Sequence, residues 1–168
     1  LRPDTPGAHA ILVVNDEPHA CKWFVRLYGD EFVILTACSL AEALALMATR
    51  GHEVAVVLTD YHMPGGHGVD LLSQMHANWP HVSRLLVSAY ADKNVAMAAV
   101  NQGQVERILE KPFDEALTRQ TLREALRSCR ERQRNPGLLA HRAASLHDTL
   151  DFLFHEVATP LATVSGYL

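Results

Sequence analysis

The chain has 168 residues, a mass of 18.6 kDa and a net charge of −4, with 48% hydrophobic and 20% charged residues. That length suits one domain of about 100–150 residues with a few dozen left over, and the apolar share excludes wholesale disorder. No apolar run approaches the roughly 18 residues of a membrane span, and the three cysteines form no CxxC pair, so a cytoplasmic, reducing setting is expected.

Residues 1–9 read as a loose lead-in. They begin with Leu rather than Met, as in an excised piece, and lack the apolar core of a signal peptide. From residue 10, short apolar runs alternate with helical patterns. Ala10–Val14, Phe32–Cys38, Val54–Thr59, Arg84–Ser88 and Arg107–Leu109 read as strands. The first, third and fourth are continuously apolar, the mark of strands covered on both faces. Helices are expected over 18–29, 40–50, 68–78, 92–102 and 114–134. Ser39 and Glu42 form a capping box, Asp92 and Asp114 suit N-caps, Pro80 follows a helix end and Gly103 suits a C-cap. Five strands alternating with five helices predict an α/β fold: a doubly wound parallel sheet with right-handed crossovers. The functional edge of such a sheet lies beyond the carboxyl ends of its strands.

The fifth helical pattern runs past what the domain needs, to Arg134, and Asn135-Pro136-Gly137 then interrupts it. Residues 10–130 are thus read as the α/β domain, 131–138 as a linker and 139–168 as a separate helix. Residues 1–118 carry 8 Lys and Arg against 14 Asp and Glu, and residues 119–168 carry 7 against 5. The arginines from Arg119 to Arg142 have no interleaved aromatics and no DNA-binding motif, so a solvated helix face is expected rather than a nucleic-acid site. Leu139, Ala143, Leu146, Leu150, Leu153, Val157, Pro160 and Val164 are spaced alternately by four and three. This is a heptad seam, and a homodimer through this helix would bury it.

Polar residues gather at the expected strand ends: Asn15-Asp16-Glu17 after the first, Asp60 after the third, Ser88 at the fourth, Lys111 after the fifth. Together they suit phosphoryl transfer to a carboxylate, which needs a nucleophilic oxygen, a hard cation and donors for the phosphoryl oxygens. Asp16 and Asp60 can supply carboxylates and His62 a backbone carbonyl to Mg²⁺. Lys111 and the Ser88 hydroxyl can each meet a phosphoryl oxygen. The ten histidines show no HxH or HxxxH spacing, so a histidine-based metal cluster is not expected.

The segments ILVVNDEP (11–18), LTDYHMPGGHGVDLL (58–72), LLVSAYAD (85–92) and LEKPFD (109–114) resemble the receiver domain of two-component response regulators. The resemblance implies a flavodoxin-like sheet of order 2-1-3-4-5. It implies that Asp60 takes a phosphoryl group from the phosphohistidine of a histidine kinase or phosphotransfer protein. Asp16 would bind Mg²⁺ with Asn15 acting through a water, Lys111 would contact the phosphate and Ser88 would be the switch hydroxyl. His62 and Tyr90 would set how fast water reaches the acyl phosphate. The chain departs from the family twice. Asn15 stands where an acid is usual, which weakens Mg²⁺ binding, and Ile108 stands where the family's switch aromatic lies.

The segment FHEVATPLATVSGYL (154–168) resembles the phosphoacceptor box of histidine kinases. With Leu150 at heptad position a, His155 falls on the outer face of the helix, and Glu156 beside it can accept a ring proton. The resemblance therefore implies a receiver followed by the opening helix of a histidine kinase core, cut short before an ATP-binding domain. Any catalysis in the chain itself would be the receiver's own phosphorylation and dephosphorylation. The alternative is a stand-alone response regulator whose last helix serves dimerisation or partner binding. An aspartate-nucleophile phosphohydrolase of the haloacid dehalogenase type fits less well. Its nucleophile follows the first strand in a DxD pattern, whereas Asp60 follows the third.

Overall fold

A computed structural model describes residues 7–63, 66–89 and 105–135, together with positions 94 and 97, both helical. Tyr90, the caps at Asp92 and Gly103, and the whole of 139–168 with His155 and Glu156 lie outside the described residues.

Five strands form one parallel sheet: β1 (Ala10–Val14), β2 (Val33–Ala37), β3 (Val54–Asp60), β4 (Ser83–Ala89) and β5 (Arg107–Lys111). Their spatial order is β2-β1-β3-β4-β5, as the resemblance implied. The three continuously apolar strands are the inner ones. β1 is buried throughout, and β3 and β4 are buried in all but their last residue. The edge strands β2 and β5 are partly exposed. An inner strand faces helices on both sides, so every side chain along it must be apolar or satisfied.

Four helices are described: α1 (Pro18–Tyr28), α2 (Leu40–Arg50), α3 (Gly68–Asn78) and α4 (Glu115–Arg134). Alternation along the strands divides the core in two. Leu12, Val14, Val57 and Leu86 face α2 and α3, where Met47, Leu71, Leu72 and Met75 are fully buried. Ile11, Val13, Val56, Leu58, Leu85 and Val87 face α1 and α4, against Phe24, Tyr28, Leu122 and Cys129. The fold is doubly wound.

The caps follow the sequence signals, with one shift. Ser39 Oγ accepts from the Glu42 amide at 3.0 Å, and Asp114 Oδ1 accepts from the Leu117 amide at 2.9 Å. The Glu42 carboxylate, however, accepts from the amide of Cys38 rather than of Ser39. The second half of the capping box therefore closes one residue early. A further two-stranded ribbon, His62–Met63 against Gly66–His67, carries the chain from β3 into α3.

α4 runs to Arg134, and its last turns are packed. Cys129 and Arg132 are buried, and Arg132 pairs with the buried Glu106 at 2.7 Å. The side-chain oxygen of Gln133 accepts from the amide of Ala8 at 3.3 Å. The last turn of α4 is thus packed against the sheet and its entry segments. The arginines of α4 are also not a uniformly solvated face. Arg119 pairs with Asp30, Glu31 and Glu115, and Arg123 pairs with Glu31, which ties α4 to the turn after α1.

Candidate functional site

Parallel strands aim their carboxyl ends at one edge, and here three of those ends converge on one cleft of about 170 Å³. Asn15, Asp16 and Glu17 follow β1, Asp60 ends β3 and Lys111 ends β5, and all five line it. The order of strands turns back between β1 and β3, where crossovers leave in opposite directions and open a crevice. Lys111 lies two strands from Asp60, with β4 between them, and its long stem spans that gap. Its Nζ sits 3.1 Å from Asp60 Oδ1.

The loop at 15–17 is built locally. Asn15 Oδ1 accepts from the Glu17 amide at 2.9 Å, an Asx turn, and Pro18 then opens α1 at a position that needs no amide donor. The amide of Asn15 donates to the carbonyl of Ala37 at 3.1 Å, fixing the loop to the end of β2. Val13, Leu58, Val87, Phe24 and Phe113 make the floor and walls of the cleft. Trp23 stacks on Phe113 at the rim, with ring centroids 6.2 Å apart and planes 14° from parallel. Charges against such apolar walls interact more strongly than in bulk water.

Three carboxylates and one ammonium line the cleft, a net of −2. That is the charge a divalent cation neutralises, and the donors are all hard oxygens. No group of three His, Cys, Asp or Glu placed to hold a metal occurs among the described residues. Mg²⁺ does not need one, because it takes one or two carboxylates and completes its octahedron with water and phosphate. Asp16 and Asp60 fit that pattern.

Two of the expected residues do not line the cleft. Ser88 is 2% exposed, and its hydroxyl donates to the carbonyl of Ala89 at 3.0 Å. The His62 ring is exposed and sits edge-on to Tyr61 with centroids 4.7 Å apart. Ile108, at the place of the family's switch aromatic, packs into the core beside α2 and α3.

The sequence reading passed over Gly68. A Cβ there would lie 2.2 Å from the backbone oxygen of Asp60 and 3.0 Å from the side chain of Thr59. The amide of Gly68 donates to the carbonyl of Tyr61 at 2.8 Å. The start of α3 is thus pressed against the residue that carries the Asp60 carboxylate, at a distance only glycine permits. A glycine opening a helix eight positions after a strand-end aspartate was the available signal. Trp23 and Phe113 were also passed over: an aromatic in an amphipathic helix such as α1 reads first as core, and Phe113 lies in the short link between β5 and α4.

The Asn15 geometry gives a test. Asn15→Asp keeps the oxygen that accepts from Glu17 and adds one negative charge beside the cleft. Mg²⁺ affinity is expected to rise by about 1 kcal/mol, roughly fivefold in Kd. A titration followed by the fluorescence of Trp23 reads it. Unchanged or weaker binding would remove Asn15 from the cation's surroundings.

Comparison with known proteins agrees with this geometry. Residues 11–127 match the family model described as the response regulator receiver domain. The chain is 35% identical over 103 residues to the hydrogenase transcriptional regulatory protein HoxA of Cupriavidus necator, covering 61% of this chain and 21% of that protein. It is 31% identical over 124 residues to the sensor kinase CckA of Brucella abortus, covering 73% of this chain and 13% of that one. The chain therefore spans about a fifth or less of these relatives. Among solved structures, the signal receiver domain of an HD domain-containing protein from Pseudomonas fluorescens superposes with a TM-score of 0.71 at 26% identity. That match covers 80% of this chain and 98% of the other.

Proposed function

Because the chain belongs to the response regulator receiver family, a family of two-component signalling, we propose that Asp60 is the residue phosphorylated here. The donor is the phosphohistidine of a histidine kinase or phosphotransfer protein. The single observation that carries this reading is the cleft itself, in which Asp60, Asp16 and Lys111 meet from three strand ends.

The Asp60 carboxylate attacks phosphorus in line with the phosphorus–nitrogen bond of the donor. That bond breaks, the imidazole leaves with its electron pair and takes a proton, and an acyl phosphate remains on Asp60. Lys111 holds the carboxylate in place beforehand and stays within reach of a phosphoryl oxygen afterwards. Asp16, Asp60 and the carbonyl of His62, with Asn15 through a water, would hold Mg²⁺, whose positive charge would offset that of the phosphoryl oxygens. Ser88 would serve as the switch only after its hydroxyl leaves the carbonyl of Ala89. Ile108 offers no ring to follow it, so switching here would rest on the hydroxyl and its backbone.

For residues 139–168 the reading is the opening helix of a histidine kinase core, with His155 as phosphoacceptor, Glu156 as its base and the heptad seam as a homodimer interface. The FHEVATPL segment supports it. The likeness to a transcriptional regulator supports the second reading, a stand-alone response regulator whose last helix serves dimerisation or partner binding.

The test of Asp60 is direct. The protein is incubated with Mg²⁺ and acetyl phosphate, then reduced with borohydride, which converts an aspartyl phosphate to homoserine. Homoserine is expected at position 60 alone and only with Mg²⁺ present. Homoserine at another aspartate, or equal labelling with the cation chelated, would overturn the assignment.

A further inference from the structure

A second opening among the described residues, of about 340 Å³, lies between α1 and the end of β2. Cys21, Lys22 and Arg26 of α1 line it, together with Thr36 and Cys38. Two of the three thiols of the chain therefore share one groove. Cys21 is buried and Cys38 is exposed.

Their approach is fixed by the backbone on both sides. Cys21 Sγ lies 3.6 Å from the carbonyl oxygen of Asn15 and 3.9 Å from that of Ala37, the residue just before Cys38. Ala37 is itself paired with Val14 in the sheet. The amide of Cys38 donates to Glu42, which ties it to the first turn of α2. The two side chains interact with each other, and burial and the nearby Cys38 push the Cys21 thiol up to about 11. Cys21 is thus shielded from solvent, while Cys38 meets it. Cys129, on α4, is fully buried and does not line this groove.

We propose that Cys21 and Cys38 form a redox modification site, a dithiol that a peroxide oxidises to an intramolecular disulfide. The Cys38 thiolate attacks peroxide, a sulfur–oxygen bond forms, the oxygen–oxygen bond breaks, and the sulfenic acid and one water result. Cys21 sulfur then attacks the Cys38 sulfur. The sulfur–sulfur bond forms, the sulfur–oxygen bond breaks, and hydroxide leaves with the Cys21 proton as a second water. Two thiols lose two electrons and two protons, and one peroxide becomes two waters. The low nucleophilicity of Cys21 is offset by its fixed position beside the target sulfur. The bond ties the first turn of α1 to the end of β2. These are the two supports of the Asn15–Glu17 loop, so oxidation reports to the acidic cleft.

The experiment reads thiols and not phosphate, so its outcome is separate from the assignment of Asp60. The reduced chain is treated with hydrogen peroxide, denatured, alkylated and mapped by mass. The expected product has lost two hydrogens, carries a Cys21–Cys38 linked peptide, leaves Cys129 alkylated and reverts with dithiothreitol. Cys21→Ser is expected to lose the linked peptide while Cys38 proceeds to sulfinic acid, for want of a partner. Cys38→Ser is expected to leave Cys21 as a free thiol. The proposal is overturned if wild-type Cys38 goes to sulfinic acid with Cys21 still alkylated. It is equally overturned if Cys38 links to Cys38 of a second chain.

Discussion

Replacing Gly68 with alanine is expected to slow phosphoryl uptake at Asp60 by about 10²-fold while leaving the fold intact. The added methyl would sit 2.2 Å from the backbone oxygen of Asp60. That oxygen cannot swing aside, because β3 is paired on both sides here, Thr59 with Val14 and Asp60 with Val87. Thr59 is fully buried and gives no room either. Something must shift: either the start of α3 lifts, losing the Gly68–Tyr61 hydrogen bond, or the end of β3 is displaced. Overpacking of this kind costs about 1–3 kcal/mol, and a displacement near 1 Å at a reacting carboxylate costs about 10²-fold in rate. The measurement is the rate of acetyl phosphate labelling, well below the melting temperature of the variant. Gly29→Ala is the control, since its Cβ would also press on a backbone oxygen, that of Val25, but at the far end of α1. It should lose stability and keep its labelling rate. Equal slowing in both variants would show that Gly68 acts through stability and not through Asp60.

The contrast between Gly68 and Asp60 shows what a single sequence makes legible. Asp60, Asp16 and Lys111 could be placed because each lies at the end of an expected strand, and parallel strands bring their carboxyl ends to one edge. Strand burial could be placed as well. Ile11–Val14 and Val54–Leu58 have no polar position to turn outward, so they had to be inner strands. Gly68 is different, since its role is a distance to a backbone atom that no spacing expresses. The ribbon at His62–Met63 and Gly66–His67 is two residues on each side, too short for any period to register. Ser88 was placed on the correct strand, but where its hydroxyl points depends on a local choice between the Ala89 carbonyl and the cleft. The pairing of the α4 arginines was also beyond the sequence, since Arg119 reaches residues almost ninety positions earlier.

Glu106 illustrates the largest effect hidden in this way. It reads as an unremarkable acid at the entry to an edge strand, yet it is 6% exposed and pairs with Arg132. Arg132 also donates to the Ser83 hydroxyl at 2.7 Å and to the carbonyl of His81 at 3.1 Å, and Ser83 in turn donates to the carbonyl of Ala125. Arg84, 5% exposed, lies close enough for its charge to be stabilised by Glu106, and the amide of Glu106 donates to its carbonyl. One buried carboxylate therefore serves two buried guanidinium groups. Glu106→Gln keeps the shape and removes the charge that pairs with the buried Arg132. Breaking a buried pair from one side costs about 3–5 kcal/mol, and here the upper end is expected. Arg132→Met should cost less, near the lower end, because Arg84 remains to compensate Glu106. Most domains of this size are stable by only about 5–15 kcal/mol, so the Glu106 variant should unfold at markedly lower urea concentration. The order matters more than either value. If Arg132→Met proved the more damaging substitution, the stabilising element would be the hydrogen bonds to Ser83 and His81, and not the shared carboxylate.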